Sequence, residues 1–145
     1  MSLLMENPQV EGRFTRSARR PGVVGELGRL PGMESVPSKT LSRSGWTTTL
    51  DRVRRGEPLA ILQRGKPEAV LLPYSLWQRA ADGVPVEAGE QQTHSSHDVR
   101  ENLRARREDA YLRGRHTMIT WHGDEPEVVL APYNWVRFAL PDLGE

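Results

Sequence analysis

The sequence predicts an α+β fold made of two tandem copies of one small unit, each an antiparallel β-hairpin with flanking helices. Three observations carry this. The chain repeats itself, each repeat passes from helical to strand periodicity, and glycine and proline stand at the same punctuating positions in both. Residues 53–77 read VRRGEPLAILQRGKPEAVLLPYSLW and residues 111–136 read YLRGRHTMITWHGDEPEVVLAPYNWV. With Asp124 as the one insertion, Arg55-Gly56 matches Arg113-Gly114 and Gly65 matches Gly123. Pro67-Glu68 then matches Pro126-Glu127, and Pro73-Tyr74 matches Pro132-Tyr133. The reading divides the chain into a basic extension at 1–33, a first unit at 34–83, a linker at 84–97 and a degenerate second unit at 98–145.

Each unit opens with a helical stretch. In the first copy Leu41, Trp46, Leu50 and Val53 recur near the helical period and make one apolar face. The second copy offers Val99, Leu103, Ala110 and Tyr111, with Arg106 and Arg107 interrupting the stripe. Gly56 and Gly114 stop the helices, because a left-handed C-terminal position costs glycine least. A hairpin follows. Residues 59–63 and 68–72 are β-rich runs joined by Arg64-Gly65-Lys66-Pro67, and residues 118–121 and 127–131 repeat the pattern around Gly123-Asp124. Pro73 and Pro132 close the second strands and suit the start of a short amphipathic helix. A unit of about 45–50 residues buries too little surface to be robust alone, so two packed copies would share a core. The linker GVPVEAGEQQTHSS, at roughly 45 Å extended, leaves side-by-side packing easy.

Composition narrows the classes. Only 37% of the 145 residues are apolar, below the globular norm, which argues against one large core and for two compact ones with polar connections. No cysteine is present, so disulfides, thiolate zinc sites and cysteine nucleophiles are out. No apolar run reaches a membrane span, and MSLLMENPQV lacks the features of a signal peptide, so the expectation is a cytoplasmic protein with no membrane partner. Phosphate-binding GxxxxGK[ST] and GxGxxG patterns are absent, as is the GxSxG of a serine nucleophile, and no catalytic residues are assigned; a non-enzyme without cofactor is expected. His94 and His97 lack a third ligand at a recognisable spacing, so no metal site is assigned.

Charge is polarised: the first 83 residues carry +5 and the rest −4. Residues 13–29 (RFTRSARRPGVVGELGR) form a basic, glycine-rich stretch open to three readings. It is a flexible arm, a phosphate-tracking arm or a partner-binding segment that folds on contact. Met33 is an alternative start, since the first unit begins right after it.

The string LDRVRRGEPLAILQRGKPEAVLLPYSLW closely resembles the Phd/YefM antitoxins of bacterial toxin–antitoxin systems, and SSHDVRENLRARREDAYLRG resembles the start of a second such domain. The resemblance implies a small antiparallel sheet with helices, dimers that bind operator DNA and repress transcription, and a tail that neutralises a toxin. Here the tandem copies would form in cis the pair that the family forms in trans, giving a monomeric pseudodimer, or a homodimer carrying four copies. Only residues 136–145 follow the fold where the family's toxin-binding tail would stand.

In the family the N-terminal strand–helix region faces the DNA. The resemblance therefore points to Lys39 and Arg43 in the first copy and to His97 and Arg100 in the second, with Ser38, Thr40 and Ser42 donating to phosphates. Arg52, Arg54 and Arg55 crowd the helix end, where they serve either as DNA contacts or as a solvated face suited to the helix dipole. On the second helix Glu101, Glu108 and Asp109 stand at pairing distance from the arginines, so intrahelical ion pairs are expected there. Trp46, Leu50, Val53, Tyr74, Trp77, Trp121, Tyr133 and Trp135 are assigned to the core or to the interface between copies. Double-stranded operator DNA is the expected partner, with a cognate toxin as a second. The alternative is a protein-binding module that keeps the scaffold without binding DNA.

Overall fold

The computed structural model describes residues 33–144, apart from the side chains of Ser42 and Arg43. Twelve labelled elements follow one another in chain order: β1 (Glu34–Pro37), α1 (Ser38–Thr40), α2 (Trp46–Arg54), β2 (Leu59–Gln63), β3 (Lys66–Pro73), α3 (Tyr74–Gly83), β4 (Gln91–Ser95), α4 (Ser96–Glu101), α5 (Leu103–Arg113), β5 (His116–Thr120), β6 (Pro126–Pro132) and α6 (Tyr133–Ala139). The strands form one six-stranded mixed sheet in the order β1-β2-β3-β6-β5-β4. β1 runs parallel to β2 and β4 parallel to β5, while the other neighbours are antiparallel.

The first helix solves a spacing problem. Leu41, Trp46, Leu50 and Val53 are five, four and three residues apart, and a regular α-helix would rotate Leu41 off the buried face. A π-helical turn, Leu41–Gly45, joins α1 to α2 and absorbs the extra residue, so all four are buried. The second copy spaces Val99, Leu103, Arg107 and Ala110 four, four and three apart and has no π turn. Its helix breaks instead at Asn102, whose side chain donates to the Asp98 carbonyl and carboxylate. Gly114, at φ +69°, ends α5 in the left-handed conformation expected of it.

Both hairpins carry a bulge at the same place. Ile61 faces Ala69 and Leu62 faces Pro67, leaving Glu68 over; Ile119 faces Val128 and Thr120 faces Pro126, leaving Glu127 over. The first turn is tight, with Arg64 and Gly65 both at positive φ, as a two-residue hairpin turn requires.

Two expectations need correction. The chain has two apolar clusters, but they are divided by the sheet rather than by the repeat. One joins Leu41, Trp46, Leu50 and Val53 to Val99, Leu103 and Ala110 across Leu71 and Leu130. The other joins Trp77 to Tyr133 and Val136 across Val70, Leu72, Val129 and Ala131. Strand alternation sends neighbouring residues to opposite faces, so each face collects from both halves. The second correction is the linker: within 84–97 the structure forms a 3-10 turn, Ala88–Glu90, and the strand β4. QQTHS has no apolar alternation because it is an edge strand held by backbone pairing to β5, with Gln92 donating to Thr117 Oγ1 and Asp109 Oδ2.

Candidate nucleic-acid interface

Two clefts, each of about 450 Å³, lie where the first helix of one half meets the hairpin end of that half and the helix of the other. The first is lined by Ser38, Lys39, Gln63 and Arg64, and is walled by Arg104, Arg107 and Tyr111 from α5. The second is lined by Ser96, His97, Arg100, Trp121 and His122, and is walled by Trp46 and Thr47 from α2. In the repeat alignment Ser38-Lys39 corresponds to Ser96-His97, and Gln63-Arg64 to Trp121-His122. The strand registers agree with that correspondence: Glu34 stands opposite Leu59 as Gln92 stands opposite Thr117.

The expected DNA contacts fall into four groups. Lys39 and Thr40 are exposed at the start of the first helix, and His97 and Arg100 occupy the matching place on α4. Ser38 is buried at the edge of the first cleft, and its hydroxyl accepts from Arg107 Nη1 at 2.9 Å. Ser42 and Arg43 sit in the π turn, and their side chains lie outside the described residues, as does the arm before Met33. Arg52 and Arg55 belong to a different place, the C-terminal end of α2. There Arg52 pairs with Glu57 at 2.9 Å and Glu34 at 3.5 Å, and Arg55 pairs with Asp51. A hydrogen bond from Arg54, reinforced by the charge of Arg55, holds the Asp51 carboxyl below its ordinary range.

The arginines of α5 are engaged within the protein. Arg104 pairs with Glu108, and Arg106 and Arg113 with Asp109, all at helical spacing. Arg107 reaches across instead, to Glu68 Oε1 at 2.9 Å, in a pair that is almost fully buried. Arg104 and Arg107 have acidic partners, whereas Lys39 and Arg64, both exposed at the first cleft, form no ion pair with a described residue. Sequence reasoning missed Arg64, whose place in the cleft follows from its left-handed conformation at the turn.

The aromatic residues join the two halves. Trp46 is buried and donates Nε1–H to Ser96 Oγ at 3.0 Å. Trp77 is buried and donates to His116 Nδ1 at 2.9 Å, with Tyr74 stacked beside it and Trp135 edge-on to the imidazole. Leu50, Val53 and Tyr133 are buried, while Tyr74, Trp121 and Trp135 are half-buried. Trp121 carries Arg54 over its ring, and Arg54 also pairs with Glu127 at 3.1 Å. Glu68 and Glu127, the two bulge residues, thus each receive an arginine from the opposite half.

His94 is held from both sides. Arg106 donates to Nε2 at 2.7 Å, so Nδ1 carries the hydrogen directed at Asp98, 2.8 Å away. Among the described residues no group of three or more His, Cys, Asp or Glu is placed to hold a metal ion, and no helix is long and apolar enough to cross a membrane. Compared with protein-family models, curated proteins and solved structures, the chain matches none.

Proposed function

We propose that this chain is an antitoxin-like, double-stranded-DNA-binding repressor of the Phd/YefM type, acting in a bacterial cytoplasm, whose two copies pair within one polypeptide as a pseudodimer. The register of the central strands carries the reading. Leu71 stands opposite Leu130, its own counterpart in the repeat. Val70 faces Ala131 and Leu72 faces Val129, and the repeat exchanges those two pairs. A two-fold interface has this signature, since residue i meets j wherever j meets i. The reading places DNA along the two clefts, with Lys39, Thr40 and Arg64 on one side and His97, Arg100 and His122 on the other. Toxin neutralisation would be a second activity, with a cognate toxin as partner.

Replacing Lys39 and Arg64 with Ala tests the DNA face, because both are exposed and neither supports the core. The expected result is weaker binding, with the slope of log K against log salt shallower by about two, one for each phosphate contact removed. Binding and slope equal to the parent's would remove the clefts from the interface. A second reading, a module that binds a protein and not DNA, is favoured by Phe138, which is 75% exposed at the end of α6. A co-purified partner together with no salt-dependent DNA binding would select it.

A further inference from the structure

We infer that the DNA this chain reads is not a palindrome: its two half-sites differ, and the protein sits on them in one orientation. The inference rests on the DNA-binding reading above. A two-fold symmetric protein meets both half-sites with the same side chains, and its operators are palindromic for that reason. Here the clefts occupy equivalent places and carry different chemistry. Lys39 and Arg64 stand in one where His97 and His122 stand in the other. Lysine and arginine are donors only, and the arginine fork fits guanine O6 and N7 in the major groove. An imidazole has two ring nitrogens on a short side chain, with neither the reach of a lysine nor the fork of an arginine, so it cannot make the same contacts.

The walls differ as well. The first is built by Arg104 and Arg107 and the second by Trp46, whose indole hydrogen is already given to Ser96. Because both clefts belong to one chain, every molecule presents one of each. Within one chain the two clefts stay unlike.

Selection from a randomised duplex library with the full chain tests this. The expected motif has two unlike halves, and a duplex in which either half is duplicated as a palindrome binds at least about tenfold more weakly than the selected one. A palindromic motif, or palindromised duplexes that bind as tightly as the selected one, would overturn the inference and leave DNA binding intact. Enrichment of no motif would overturn the DNA-binding reading itself, and this inference with it. A second arm uses the double variant His97→Lys/His122→Arg, both positions being exposed. It gives the second cleft a lysine and an arginine at the positions that correspond to Lys39 and Arg64, and its selected motif should move towards a palindrome of the first half. A variant that still selects the parental asymmetric motif would show that these side chains do not set the asymmetry.

Discussion

Trp77 and His116 meet in a site where the imidazole is 2% exposed, and the histidine accepts the indole hydrogen at Nδ1. Burial pushes the His116 pKa down to about 4 from an ordinary 6.5. The unfolded chain therefore binds a proton that the folded chain refuses over that interval. Stability contributed here is complete above pH 6.5 and is lost as pH falls towards 4, by about 3 kcal/mol in all. Urea midpoints measured between pH 7 and pH 4.5 should fall with acidity, and His116→Gln should flatten that dependence. An unchanged dependence in the variant would place the titrating group elsewhere. Glu68 and Arg107 make the opposite demand, since both are charged and nearly buried. Glu68→Ala should cost about 3 kcal/mol by leaving the guanidinium unpaired, and Glu68→Ala with Arg107→Met should recover most of it. Chemical denaturation of the two variants separates these outcomes. From the sequence Arg107 reads as a break in an apolar stripe. Its burial depends on a glutamate 39 positions away that the bulge aims at it, and no local pattern carries that information.

At the scale of elements, helices and hairpins were legible wherever apolar spacing or a glycine turn marked them. The first apolar stripe and the strands at 59–63 and 127–131 follow from periodicity, and the helix end at Gly114 from glycine's tolerance of the left-handed conformation. β4 was not legible, because an edge strand satisfied by backbone pairing needs no apolar alternation. The π turn was present in the sequence only as an uneven interval, five residues from Leu41 to Trp46. That interval yields a prediction. Deleting Ser44, which is exposed in the π turn, leaves spacings of four, four and three, the pattern of the second helix. Thermal unfolding should shift by no more than about 4 °C. Deleting the exposed Ala105 from α5 turns Arg107 and Ala110 away from the sheet by about one residue's rotation, roughly 100°. It should destabilise the chain by several kcal/mol, on the scale of losing a buried pair. Equal effects of the two deletions would remove the spacing argument.

On the scale of the whole molecule, the repeat is expressed as one sheet and two shared cores rather than as two beads. β3 pairs with β6 around Leu71 and Leu130, and Trp46–Ser96, Trp77–His116, Arg54–Glu127 and Arg107–Glu68 tie one half of the chain to the other. The candidate site was legible in part. Lys39, His97 and Arg100 line the clefts, Ser38 lines the first one with its hydroxyl held by Arg107, and Arg52 and Arg55 stand at the far end of the helix. A residue's place on the chain indicated its element, but not whether a neighbour from the other copy would cover it. The most direct test of the account is fluorescence anisotropy of the purified chain. It would be titrated against the duplex upstream of its own reading frame and against a scrambled duplex, at two salt concentrations. The expected result is a preference for the native duplex of more than about 100-fold, with affinity falling as salt rises. No binding to either duplex at either salt would contradict it.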